Sequence, residues 1–238
     1  MFYFIAPSIT SYNIILTAAA VLPAVFLMMK VYRSDKLEQE PPAMLWRLMI
    51  AGVLSSLLAL VEEKVGMAIL DHTVKDYKTY MILLYFGVVA YAEETSKYLL
   101  LKRSTWRSDS FNCQYDGVVY AVFVSLGFAL WENISYVMTY GFGTALIRAI
   151  TAIPGHACFG VFMGVFYGIA KKVDNAGRHE MSKVYRVLSV VLPAALHGAY
   201  DYIASSPSGS TGFIIFIVIL FAFSYLLIDR MSKQDRYI

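Results

Sequence analysis

Seven stretches of about 20 predominantly apolar residues run through this chain, near 12–32, 43–62, 79–100, 117–138, 147–170, 185–204 and 211–229. A run of that length crosses the hydrocarbon core of a bilayer as a helix, because in lipid the backbone must satisfy its own polar groups. Strands of an outer-membrane barrel would alternate over segments of about ten residues; these runs are longer and do not alternate. The expected fold class is therefore all-α, a polytopic integral membrane helix bundle of about seven transmembrane helices. Short connections leave no room for a further domain, so residues 1–238 are read as one transmembrane domain. Charged residues make up 16% of the chain, against about 25% in soluble domains, which excludes disorder. A net charge of +3 without a basic stripe excludes a nucleic-acid partner. The lipid bilayer is the partner that composition implies.

Positive charge in short loops marks the cytoplasmic side. Lys30, Arg33, Lys36 and Arg47 follow the first span, Lys102, Arg103 and Arg107 the third, Lys171 to Arg186 the fifth, and Arg230, Lys233 and Arg236 the last. Together these are 15 of the 20 basic residues. The opposite loops hold Lys64, Lys75 and Lys78, with Arg148 near a membrane edge. The asymmetry gives an N-out, C-in topology. Basic residues come after the first apolar run rather than before it, so that run reads as a retained anchor and not a cleaved signal. Cys113 falls in a cytoplasmic loop and Cys158 within a span, which argues against a disulfide.

Polar residues inside the spans carry the functional signal. A charge at the centre of a spanning helix costs about 2.5–3.5 kcal/mol on insertion scales and usually lines a cavity. Span three contains Glu93, Glu94 and Lys97; span four Phe128, Glu132 and Asn133; span five Pro154-Gly155-His156; span six His197 and Asp201. The other spans have almost none. Glu93 and Lys97 share one helix face, as do His197 and Asp201, since positions four apart are neighbours. Converging carboxylates and imidazoles suit two tasks: holding a divalent metal, or activating a water and stabilising the charge that follows its attack. Glu62-Glu63, at the end of span two beside Lys64, reads as a solvated pair. Asp116 and Arg148 read as interfacial. Gly160, Gly164 and Gly168, spaced by four, read as a close helix-packing face.

These residues resemble the motifs of the PrsW-type intramembrane proteases, relatives of the CAAX-prenyl endopeptidases and bacteriocin-processing enzymes. Glu93, Glu94 and Lys97 match the first motif, Phe128 and Glu132 the second, His156 the third, and His197 with Asp201 the last. Flanking residues agree: Asp35, Glu40-Pro41, Asp116-Gly117 and Gly127. Four motifs in order on successive spans make the resemblance specific over about residues 15–229. It implies a multi-pass protein of the bacterial cell membrane with a catalytic core at about 79–204. It also implies an endopeptidase making the site-one cut in a single-pass, membrane-bound anti-sigma factor, on the extracytoplasmic side, under envelope stress. A second intramembrane protease then frees the sigma factor.

Two mechanisms fit the residues. In both, Glu93 or Glu94 takes a proton from the attacking water. In one, Glu132, His156 and His197 hold one divalent metal, zinc, with Asp201 as a further ligand or as the partner that orients His197. In the other, metal-free, one imidazole assists the glutamate, and His197 with Asp201 helps hold the oxyanion. Intramembrane acids and imidazoles also mark transporters and ion-binding channels, although no internal repeat of the transporter kind is visible. Counting along the spans leaves Glu93 and Glu94 deeper than the other candidates, which requires either a shifted third span or a cavity running down to it.

Overall fold

The computed structural model describes residues 9–206 and 210–238, and these are helical almost throughout. The helices are α1 (Ile9–Ser34), α2 (Pro42–Thr73), α3 (Tyr77–Ile82), α4 (Ala90–Thr105), α5 (Asp116–Tyr140), α6 (Phe142–Ile150), α7 (Ala152–Asn175), α8 (His179–Ala204) and α9 (Ser210–Lys233). A π-helical segment, Leu83–Val89, joins α3 to α4 without a break. Among the described residues, six helical stretches are apolar and long enough to cross a membrane. The seventh, running continuously from Tyr77 to Thr105, is the one loaded with Glu93, Glu94 and Lys97. The polytopic all-α bundle expected from the apolar runs is the fold.

Helices α2, α4, α8, α7 and α5 pack in that order into a closed ring, since α5 also packs on α2. α1 lies outside against α5, and α9 outside against α7 and α8. α5 is the most deeply enclosed, and the side chains from Asp116 to Ala129 are all buried. Glycines allow its neighbours to come this close. A Cβ on Gly164 of α7 would lie 2.5 Å from Val118 Cα of α5, and one on Gly160 3.0 Å from Val122 Cα. On the other side of α5, a Cβ on Gly52 of α2 would lie 2.9 Å from Gly127 Cα. The small-residue face expected at Gly160, Gly164 and Gly168 is thus the α5–α7 contact. Backbones in near contact gain dispersion energy where lipid offers no hydrophobic drive for association.

The basic ends of the helices gather at one end of the bundle. There the segment between α4 and α5 folds inward, burying Phe111, Cys113 and Tyr115. Residues after α9 lie along it: Ile238 N donates to Asn112 O at 2.8 Å, Gln114 N to Arg236 O at 3.1 Å, and Tyr115 N to Asp235 Oδ1 at 2.8 Å. Asp116 caps the turn before α5, accepting from Cys113 N at 2.7 Å and Asn112 N at 3.0 Å. Tyr120 donates to Glu40 Oε1 at 2.7 Å. Both cysteines are buried free thiols, as the reading against a disulfide required.

Three boundaries differ from the apolar runs. α2 continues eleven residues past Glu62, to Thr73, because an apolar run can end while the helix goes on. Span five starts at Ala152 rather than 147, since Thr151, with φ −120°, ψ −69°, separates it from the short helix α6. The third span sits further from the basic end than a simple count gives. Thr105, the last residue of α4, bonds Tyr167 through their hydroxyls at 2.7 Å, and Tyr167 stands eight residues before the end of α7. α4 therefore stops about 12 Å short of that end, at 1.5 Å per residue. This shift raises Glu93 and Glu94 to the level of His156.

Two expectations follow for stability. Gly164→Val should force α5 and α7 apart and cost about 1–3 kcal/mol, read as a lower thermal midpoint in detergent. Burial, with Asp235 nearby, raises the Asp35 carboxyl to about 6. Burial, with Asp35 and Glu38 nearby, raises Glu40 to about 7. Folded-state values above the unfolded ones, near ~4, give stability that is full below about pH 4 and is lost as pH rises through 6 and 7. The wild-type midpoint should fall between pH 5 and 8. In the protein carrying both Asp35→Asn and Glu40→Gln this slope should flatten.

Candidate active site

The ring of helices encloses a cavity of about 420 Å³. Each of its five helices sends a titratable side chain to the wall: Glu63 from α2, Glu93 from α4, Glu132 from α5, His156 from α7, and His197 and Asp201 from α8. The α6 helix adds Arg148. Aromatic side chains, among them Phe128, Trp131 and Phe159, supply the apolar part of the lining.

Lys97 sits beneath this cavity with no exposed surface. Its Nζ donates to Glu94 Oε1 at 2.7 Å and to Glu93 Oε2 at 3.2 Å, and lies 3.1 Å from His156 Nδ1. An ammonium group has three protons and no lone pair, so these three partners saturate it. It also lies over the Phe128 ring, 4.0 Å from the centroid, where the negative face of the ring favours a cation. The i,i+3 and i,i+4 spacing brings both glutamates to one lysine from within a single helix.

The lysine also sets the imidazole. Because Nζ can only donate, His156 Nδ1 accepts, and Nε2 carries the ring proton toward Glu132 Oε2 at 2.9 Å. The same Glu132 oxygen accepts from Arg148 Nη2 at 2.8 Å, while Arg148 Nε donates to Asn133 Oδ1 at 2.9 Å. Asn133 Nδ2 in turn donates to Ala20 O at 2.9 Å, tying α1 to the network. His197 Nδ1 lies 3.0 Å from Glu94 Oε1 and 3.8 Å from Glu93 Oε2, and Nε2 lies 3.5 Å from Asp201 Oδ2. Phe159 stacks on the His197 ring at 4.7 Å, and the two imidazoles meet edge to face at 5.2 Å.

The two glutamates differ. Glu94 is fully buried and absent from the cavity wall, held by Lys97 and His197. Glu93 is 6% exposed and faces the cavity. One ligand atom from each of Glu93, Glu94, His156 and His197 lies within 4.8 Å of all the others. Two imidazoles and two carboxylates at this spacing fit a divalent ion, and Glu94 Oε2 is buried without a hydrogen-bond partner. Glu132 stands outside that group of four, on the other nitrogen of His156.

Five of the six candidates, Glu93, Glu132, His156, His197 and Asp201, line one chamber, and Glu94 lies beneath it, bonded to Lys97 and His197. Two residues read otherwise from the sequence join them. Glu63 lines the chamber instead of facing solvent, and its neighbour Glu62 accepts from Ser96 Oγ at 3.2 Å. Arg148 is the counter-charge of Glu132 rather than an interfacial residue. The apolar run of span two ends just before Glu63, which hid that residue; helical spacing did carry a signal, because Ser56 and Glu63, two turns apart, both line the wall. For Arg148 no sequence signal existed, since α6 is a separate short helix.

Over residues 40–228 the chain matches the family described as PrsW family intramembrane metalloprotease. It is 33% identical over 210 residues to Protease PrsW of Oceanobacillus iheyensis, covering 88% of this chain and 89% of that one. To Protease PrsW of Bacillus subtilis it is 31% identical over 220 residues, covering 92% and 94%. To that of Clostridioides difficile it is 28% identical over 188 residues, covering 77% and 76%. No solved structure matches the chain.

Lys97→Met should leave two buried carboxylates without their counter-charge. Removing one member of a buried ion pair costs about 3–5 kcal/mol, so a large fall in the denaturation midpoint is expected. Glu62→Gln, which keeps a hydrogen-bond acceptor for Ser96, should leave the midpoint within experimental scatter.

Proposed function

The chain belongs to the PrsW family of intramembrane metalloproteases, and from that premise we propose that it makes the site-one cut in a single-pass, membrane-bound anti-sigma factor, on the extracytoplasmic side, during envelope stress. As a multi-pass bacterial membrane peptidase it acts on a membrane protein, and the family assignment favours hydrolysis over the transport reading. The observation that supports hydrolysis at this site is the convergence of Glu93, His156 and His197 on one chamber. Its depth supports the side of the cut. Glu132 stands sixteen residues beyond Asp116 at the basic end of α5, about 24 Å along a helix crossing a core of about 30 Å. With the basic end cytoplasmic, N-out and C-in, the chamber lies in the outer half of the membrane.

Glu93 is the general base, because it faces the cavity while Glu94 is held below. The scissile bond enters in extended form, since a helical backbone keeps its carbonyls hydrogen-bonded. Glu93 takes a proton from a water as the water oxygen bonds to the carbonyl carbon. It returns that proton to the leaving nitrogen as the C–N bond breaks, giving a carboxyl and an amine end. His197, oriented by Glu94 and Asp201, faces the developing oxyanion. Glu132 orients His156 through Nε2, and Arg148 fixes Glu132. Zinc would be held by His156, His197 and Glu94, taking the Nδ1 lone pair of His156 that Lys97 engages in this structure, with Glu93 left free as the base and Glu132 acting through His156. Bound there, it supplies Lewis acidity, lowering the pKa of a water to about 7 and polarising the carbonyl.

Purified protein in detergent with an anti-sigma substrate tests this. Glu93→Gln should lower kcat/KM by about 10²–10⁴-fold with the fold retained, and His156→Ala should do likewise. Chelator should abolish cleavage and zinc restore it. Wild-type rates in Glu93→Gln would overturn the base assignment, and full activity in chelator would overturn the metal.

A further inference from the structure

A second large cavity, about 620 Å³, lies between α1, α7 and α9, across α7 from the catalytic chamber. Pro154, Ala157, Cys158 and Val161 line it at helical spacing, whereas His156 faces the chamber. Leu27 and Val31 from α1 and Phe221 and Ile228 from α9 make most of the remaining wall apolar, with Ser34, Ser224 and Ser232 as its hydroxyl groups. At one end the groove meets the membrane surface where Lys30, Arg33 and Lys36 stand. All three are exposed. Among the described residues Lys30 has only the Tyr225 ring as a partner, 5.1 Å from its centroid. Arg33 and Lys36 take part in none of the side-chain hydrogen bonds or ion pairs of the described residues. The acid at the same mouth, Asp229, is already paired with Lys233 at 2.8 Å.

The dimensions identify what this groove fits. From Phe221 to Ser232 it follows α9 for eleven residues, about 16 Å, which is close to half of a hydrocarbon core of about 30 Å. An apolar channel one leaflet long, ending in three unneutralised cations at the surface, complements a lipid with an acyl chain and a negative head group. Basic pockets between transmembrane helices bind such head groups through the same chemistry. A free phosphate would leave the apolar wall unused.

We propose that the groove between α1, α7 and α9 binds one anionic phospholipid of the leaflet on the basic side, with an acyl chain along α9 and its phosphate at Lys30, Arg33 and Lys36. The site lies outside the catalytic chamber, so occupancy is measurable whatever the substrate is. Native mass spectrometry of the protein released from mixed micelles of phosphatidylglycerol and phosphatidylcholine reads it directly. The wild type should retain phosphatidylglycerol over phosphatidylcholine by about tenfold or more, as each charged contact near a surface favours the anionic lipid. Replacing all three cations, Lys30→Gln, Arg33→Gln and Lys36→Gln, should bring that ratio close to one. These side chains have no structural partner to lose beyond the Tyr225 ring. Ala222→Phe, which fills the groove from an exposed position on α9, should reduce retention of both lipids. A photo-crosslinker at position 222 should label lipid. Equal retention of the two lipids by the wild type, an unchanged ratio in the charge variant, unchanged retention in Ala222→Phe, displacement by inorganic phosphate, or a crosslink to protein instead of lipid would each overturn the proposal.

Discussion

A single buried ammonium group holds the charged interior of this bundle together. Two carboxylates inside a membrane protein are a heavy electrostatic burden, and Lys97 meets both from one turn away on their own helix. Its third proton goes to His156 on α7, and through Glu94 it is one atom removed from His197 on α8. Three helices are thereby fixed in rotation and in height by one point charge whose hydrogen-bonding capacity is filled. A buried ion pair does not have to add net stability. Its contribution here is geometric, because any sliding of α4 against α7 or α8 breaks the hydrogen bonds of Lys97 to His156 and of Glu94 to His197.

That electrostatic knot needs a bundle that does not yield. α5 provides it by bringing its backbone against α2 through Gly52 and Gly127 and against α7 through Gly160 and Gly164. Side chains at those positions would widen the ring, and hydrogen bonds of about 3 Å tolerate little widening. The seam of small residues and the charge network are therefore complementary parts of one design. The first fixes the distance between helices and the second their register. The π-helical turn ahead of α4 belongs to the same fit, since Phe86 from that turn packs over Gly198, next to His197.

Much of this was legible in the sequence, for identifiable reasons. Apolar runs report helix number because lipid enforces both helicity and minimum length. Charges in those runs are costly enough that Glu93, Glu94, Lys97, Glu132, His156, His197 and Asp201 stood out without any structure. What stayed hidden depended on three-dimensional packing. The height of α4, marked by the contact of Thr105 with Tyr167, is something no hydropathy pattern encodes. Glu63 was obscured because an apolar run marks lipid contact and not helix extent. Arg148 was obscured because a short helix at a membrane edge gives no depth. The different placement of Glu93, on the chamber wall, and Glu94, buried off it, follows from about 100° of helix rotation, which the sequence states, and from where the chamber lies, which it does not.

The π-helical segment Leu83–Val89 carries one extra residue relative to an α-helix of equal height. Removing a residue there would rewind the turn and swing everything downstream by about 100°, aiming Glu93 at acyl chains and stranding Lys97. Adding one would do the same in the opposite sense. This short stretch is consequently a phase-setting spacer. Amino-acid exchanges on its lipid-facing side leave the active site in place, whereas a change of length by one residue dismantles it.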